Sequence, residues 1–393
     1  MNPKELKLLA LRLQALALFR SLRADPVLAA LEDFLATPDP EHYAAFVCAL
    51  YEANGGDLTG HIEQLCANSD TVYVRMLGAG EQPGPHLQRA LQTELTTLQQ
   101  VACLDSPCLQ ALMEQTEFLP DYQCRPIDLP ALILHRLENI HRYGYGIYAN
   151  HGMFCVDDAG QILPVSHPDP VALSDLVDYE AQRAVILQNT QALLEGKPAA
   201  NILLTGDAGT GKSSTVKAVG NKLFDQGLRI VEVRKDQLRI IPQVLEQLSS
   251  NPLKFILFID DLSFVKQDDN FSTLKAVLEG SVTAKSRNVA IYATSNRRHI
   301  VRESFSERDG DEVHRNDTMQ ELVSLSARFG IHITFSKPNK STYLNIVHHL
   351  ARAAGLKLSE EELDLRAERY ALERGGRNAR LARQLVDRLL SEQ

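Results

Sequence analysis

The sequence predicts an α/β protein: a parallel, five-stranded sheet built around a phosphate-binding loop, followed by a helical C-terminal domain and preceded by a mostly helical N-terminal domain with a β-hairpin. Three observations carry this. The stretch "NILLTGDAGTGKSSTVKAVG", Asn201 to Gly220, reads as an apolar strand, a glycine-rich loop and a helix. Four more short apolar runs, "RIVEV", "FILFID", "VAIYA" and "IHITF", alternate with helical stretches, and continuous rather than alternating hydrophobicity marks strands buried on both faces. Charge also changes along the chain. Residues 1–175 carry 10 Lys+Arg against 22 Asp+Glu, a balance of −12, whereas residues 176–393 carry 31 against 28, a balance of +3.

Residues 1–140 form the acidic helical domain, punctuated by Pro and Gly at "ATPDPEH", "EANGGD" and "AGEQPGPH". Its negative charge excludes general adhesion to nucleic acid through this half. The opening "MNPKELKLLALRLQALALF" has the look of a signal sequence, but Arg12 and Gln14 interrupt its apolar run and no small-residue cleavage site follows, so an amphipathic first helix is expected. All six cysteines (Cys48, Cys66, Cys103, Cys108, Cys124 and Cys155) lie in the first half without a CxxC pair, which reads as buried free thiols in a reducing, cytoplasmic compartment. No apolar run is long enough to span a membrane.

Residues 141–173 follow as hairpin and linker. "YGYGIYANHGMFCVDDAGQILPV", Tyr143 to Val165, is rich in aromatic and β-branched residues around an Ala-Gly turn, and the two prolines of "SHPDPVAL" disfavour helix. The sheet domain covers residues 174–337, beginning with a helix near "YEAQRAVILQNTQALLEG". Residues 338–393 are helical, with Ser359 and Glu362 spaced as a capping box and Gly375-Gly376 closing that helix.

The chemistry gathers in the sheet domain. "GDAGTGKS" is a P-loop in its required context, between strand and helix. Gly206, Asp207, Ala208, Gly209, Thr210 and Gly211 turn backbone N–H groups toward a phosphate chain, and Lys212, Ser213 and Ser214 open a helix whose N-terminus adds partial positive charge. Lys212 is placed to reach the β and γ phosphates, and the Ser213 hydroxyl to ligate Mg2+. "FILFIDD" ends in two carboxylates: Asp260 for the metal shell, Asp261 as general base toward the attacking water. "VAIYATSNRRH" adds a third buried strand with a polar tip, Thr294, Ser295 and Asn296.

Loop, acidic strand and polar-tipped strand in this order resemble the AAA+ ATPase superfamily, and the wording "ILFIDDLSF", "LKAVLEGS", "YATSNRRH" and "SLSARFG" resembles a bacterial family of ATP-binding AAA+ proteins of unknown function. The resemblance covers residues 174–393. It implies ATP and Mg2+ as ligands, a helical lid over residues 338–393, and a homo-oligomer, a hexameric ring being one arrangement. Asn296 takes the sensor 1 position, which orients water near the γ-phosphate. Arg328, in "SLSARFG", falls where such proteins present an arginine to the neighbouring subunit's nucleotide. Arg377, in "RGGRNARLARQL", best matches the sensor 2 arginine of the lid, with Arg380 one turn on. "LVDYEAQRAV" matches the segment that packs on adenine through Val177 and Tyr179, except that Asp178 replaces the usual glycine. Asp261, where glutamate is common in motors, implies slow turnover.

Three functions are open at this point. One is an ATPase that remodels a protein partner bound through the N-terminal domain. Another is an ATP-dependent nucleic-acid clamp or loader, whose best feature is Arg297, Arg298, His299 and Arg302 in "SNRRHIVR"; the absence of a reader module makes it the less favoured. The third is an ATP-binding switch without significant hydrolysis.

Overall fold

The computed structural model describes residues 3–262, 269–279, 287–296 and 327–392, and the chain divides into two compact units, Met1–Asn150 and His151–Gln393. The first unit is helical because acidic caps and prolines start its helices repeatedly. Asp25 caps Pro26–Ala36, Asp39 caps Pro40–Asn54, Asp57 caps Leu58–Ala67, Asp105 caps Ser106–Gln110 and Asp128 caps Leu129–Glu138. Each carboxylate accepts a backbone N–H that the helix leaves unpaired, and proline at the first positions needs no such partner. The amphipathic first helix forms over Pro3–Gln14, burying Leu6, Leu9 and Leu13 and exposing Leu8 and Leu11.

Glu94, inside the long helix Pro85–Ala102, is 7% exposed and holds the chain after the first helix. Its Oε1 accepts from the N–H groups of Ala17 and Leu18 at 3.0 and 3.1 Å, and its Oε2 from Phe19 at 2.9 Å. All six thiols are free, but only Cys66 is buried, where desolvation pushes its pKa up to about 12. The expectation of buried cysteines is corrected accordingly: Cys48, Cys103 and Cys155 are exposed.

The second unit contains a seven-stranded sheet, not a five-stranded one. Its strands are β1 Met153–Val156, β2 Ile162–Pro164, β3 Ile202–Gly206, β4 Leu228–Glu232, β5 Lys254–Ile259, β6 Val289–Ser295 and β7 Ile331–Phe335, in the order β2-β1-β4-β5-β6-β3-β7. The five expected strands are all present and mutually parallel. The two extra strands are the hairpin itself: β1 pairs antiparallel with β2 and parallel with β4, Phe154 lying opposite Val231. Composition showed that these residues favour strands; it could not show that burial of Met153 and Phe154 sets β1 against the free edge of β4.

This order determines where the site lies. The chain leaves β3 for β4, returns through β5 and β6 to β3's side, and then places β7 on its other flank, so β5, β6 and β3 end next to one another. Their carboxyl ends are the crevice where open α/β sheets bind ligands. Tyr292 of β6 ties the helix Glu180–Leu194 to the sheet, its buried hydroxyl bonding Thr190 at 2.8 Å and Asn189 at 3.0 Å. After β7 come three helices, Lys340–Ala353, Glu360–Glu373 and Ala379–Ser391, with an apolar cluster of their own. Ser359 caps the middle one and Gly375, at φ +79, ends it.

Replacing Glu94 by glutamine turns one of its acceptor oxygens into an N–H2 group facing buried donors. We expect Glu94→Gln to cost about 2 kcal/mol in urea unfolding of the full chain followed by far-UV circular dichroism. A loss below about 0.5 kcal/mol would show that water replaces the carboxylate.

Candidate nucleotide site

The loop after β3 is held open by glycines in conformations other residues avoid. Gly206 has φ +144 and a Cβ there would stand 2.1 Å from the Phe335 carbonyl oxygen; Gly211, the N-cap of the helix Lys212–Leu223, has φ +87. Thr210 closes the turn by donating its hydroxyl to the Asp207 carbonyl at 2.9 Å, while Asp207 and Ala208 are exposed at its rim. Ser214 follows Ser213 on the first turn of the helix.

Lys212 is 5% exposed and its ammonium is fully engaged by the protein: it donates to the Gly206 and Asp207 carbonyls at 2.8 Å each and to Asn296 Oδ1 at 3.0 Å. Burial lowers its pKa; Asp260, Asp207 and Asp261 oppose that shift, and the charge of Arg380 adds to it. Ser213 Oγ donates to Asp260 Oδ1 at 2.6 Å. The same oxygen accepts the Thr294 hydroxyl at 2.5 Å and the Asp261 N–H at 3.1 Å. Asn296 Nδ2 donates to Asp261 Oδ1 at 2.7 Å. Lys212, Ser213, Asp260, Asp261 and Asn296, singled out in sequence on three separate strand ends, thus form one connected network.

Thr294 is the member that sequence reasoning did not use. Its hydroxyl bonds Asp260 and accepts the Asp261 N–H at 3.0 Å, and its carbonyl accepts from Leu262 N–H at 2.7 Å. These bonds hold Asp261 at φ +52, a left-handed conformation costly for a non-glycine residue. Threonine two residues before Asn296 was the available signal, since alternation along a strand sends both side chains to one face.

The arginines are placed differently from one another. Arg328 is ion-paired with Glu279, the last residue of the helix Asp269–Glu279. The guanidinium of Arg377 is gripped by Glu368 in a two-pronged pair, Nε to Oε1 at 2.9 Å and Nη2 to Oε2 at 2.7 Å. Arg380 lies beside the loop, its Cβ 3.1 Å from where a Cβ on Gly209 would be. Asn378 caps the last helix, so its first turn, carrying Arg380, projects toward the loop; an asparagine before a helical run was the missed sequence signal. Arg297, Arg298, His299 and Arg302 lie outside the described residues.

The segment at the expected adenine side joins two cores. Val177 packs on the cluster of the three C-terminal helices, while the Tyr179 ring lies 5.0 Å from that of Phe335 and its hydroxyl donates to the Ser336 carbonyl. Between them the backbone is left-handed at both Asp178 and Tyr179, each at φ +62. Asp178 Oδ2 is buried without a hydrogen-bond partner, and desolvation, then the charge of Glu180, raises the pKa of its carboxyl.

Asp178→Gly removes the backbone strain at position 178, though not at Tyr179, together with the unsatisfied carboxylate, and we expect it to stabilise the protein by about 1 kcal/mol at pH 7. An aspartate whose folded pKa is raised binds more protons folded than unfolded, so its cost is present above the folded pKa and disappears as pH falls toward the ordinary value of 3.8. The gain from the substitution should therefore shrink on acidification through that window in paired denaturation curves. A gain independent of pH would assign it to the backbone alone.

The sequence matches one family model, "Protein of unknown function (DUF815)", over residues 149–393. The match begins just before β1 and so takes in the hairpin strands with the loop and the C-terminal helices. No curated protein matches the sequence. Among solved structures, the chain is similar to the RuvB Holliday junction branch migration motor of Thermotoga maritima at 16% identity and a TM-score of 0.39, over 56% of this chain and 65% of that one. Two variants of the same motor match over the same shares at 16% and 15% identity, each with a TM-score of 0.39. The chain thus spans 65% of that motor's length. With the greater part of its sequence inside the family match, the protein belongs to the DUF815 family.

Proposed function

We propose that the protein is a magnesium-dependent AAA+ ATPase that binds ATP in the loop 206–213 beneath a C-terminal helical lid and couples slow hydrolysis to the geometry of a homo-oligomer acting on a protein partner. The observation that carries this reading is the single hydrogen-bonded network of Lys212, Ser213, Asp260, Asp261 and Asn296 at three adjoining strand ends. Its donor set fits the metal. A hydroxyl and a carboxylate oxygen 2.6 Å apart are hard-oxygen ligands, and Mg2+ takes only one or two such groups from protein when phosphates complete its shell.

The ion, when bound, neutralises charge on the phosphates. The chain's own residues do the rest. Lys212 exchanges the Gly206 and Asp207 carbonyls for phosphate oxygens, which relieves the burial of an ammonium against neutral partners. Asp261 takes the proton of a water that attacks the γ-phosphorus as the bond to the β–γ bridging oxygen breaks, and Asn296, 2.7 Å from that carboxylate, fixes its direction. Val177 and Tyr179 flank the adenine. Arg380, rather than Arg377, is the lid residue that reaches the phosphates. Arg328, released from Glu279, serves the site of the neighbouring subunit, so hydrolysis requires assembly.

Specific ATPase activity should therefore rise with protein concentration, together with the mass seen by size-exclusion light scattering in ATP. Arg328→Ala should lose about 10³-fold in rate or more while still binding ATP. Equal, concentration-independent rates in wild type and variant would remove the trans-acting arginine. Tight binding with negligible hydrolysis in both would replace the ATPase by a switch.

A further inference from the structure

The last helix touches the phosphate loop through its backbone. Ala379, its first residue, donates its N–H to the Gly209 carbonyl at 3.0 Å, while the side chain of Asn378 caps the helix by accepting from Leu381 N–H at 2.9 Å. A first-turn amide has no acceptor within its own helix, so the loop satisfies a donor the helix cannot. The approach is close as well as polar: a Cβ on Gly209 would stand 2.9 Å from Asn378 Oδ1. Position 209 is thus glycine for two independent reasons, its φ of +76 and the helix end lying on it.

A trans peptide unit is planar, with its C=O and N–H pointing opposite ways. Holding the Gly209 carbonyl toward the helix therefore turns the Thr210 N–H away from it. Thr210 is 4% exposed and its hydroxyl is tied to Asp207, so this peptide is fixed from both ends.

We propose that Ala379 is a positioning residue of the phosphate site: its N–H orients the 209–210 peptide so that Thr210 N–H faces bound phosphate, which makes seating of the last helix and grip on phosphate one equilibrium. The inference rests on the reading of the loop as the ATP phosphate site. Because the link is one backbone donor, side-chain changes at 379 leave it intact and proline removes it. Proline is tolerated at the first helical position, where its fixed φ suits the helix and its missing N–H breaks no intrahelical bond.

The test is ADP and ATP titration calorimetry on the full chain as wild type, Ala379→Ser and Ala379→Pro. Serine should bind as wild type does, and proline about tenfold more weakly, the equivalent of one hydrogen bond. Equal affinities in all three overturn the inference while leaving the nucleotide site standing. Tighter binding by the proline variant also overturns it, since the contact would then compete with nucleotide. Failure of wild type to bind either nucleotide overturns the site itself. Should Ala379→Pro misfold, amide exchange at Ala379 in wild type decides the matter. Protection that deepens with ADP is expected, and exchange unaffected by ADP overturns the inference.

Discussion

A single carboxylate oxygen, Asp260 Oδ1, ties the site together. It accepts the hydroxyl of Ser213 from the first turn of the helix after β3 and that of Thr294 from the end of β6, while Asp260 itself directly follows β5. The three elements are neighbours only because the sheet runs β5-β6-β3. Each of its donors comes from a different element of the sheet domain, so the oxygen fixes their mutual positions. The arrangement is preorganised, and it carries stored strain: Asp261, next in sequence, is left-handed, and Thr294 and Leu262 hold it so through paired backbone and side-chain bonds.

Much of this was legible in the sequence because the residues are chemically redundant for any other purpose. A turn needs glycines but not a lysine and a serine after them; an apolar strand can end in one acid without consequence, but "FILFIDD" ends in two. What could not be read was pairing across distance. The hairpin's strands were apparent from composition, yet its place beside β4 depends on which edge is free, a property of the whole sheet. Likewise the motif points to Arg377, and only the fold shows that Glu368 pairs with it and that the Cβ of Arg380 lies beside Gly209. Local pattern identifies the helix; the cap at Asn378 fixes where it begins, and so sets Arg380 on the turn beside Gly209.

Charge in the N-terminal unit has a similar lesson. The excess of acid over base before residue 175 invites a search for a basic partner. Yet Asp25, Asp39, Asp57, Asp105 and Asp128 are helix caps, and Glu94 is buried against three backbone donors. These acids are spent on local structure, each placed where a helix N-terminus already favours negative charge. A partner surface on this unit has to be sought among the remaining acids, not in its net charge.

Two arginines that the sequence singles out are each held by a carboxylate of the same chain. Arg328 is paired with Glu279 and Arg377 with Glu368, and in both pairs the side chains are partly open to solvent. Such pairs contribute little, because water and salt compete with them. A phosphate chain with its metal presents more charge in a drier place, and there the same guanidinium is worth far more. The weakness of the pair with Glu279 leaves Arg328 exchangeable, which is what its proposed role at a neighbouring subunit requires.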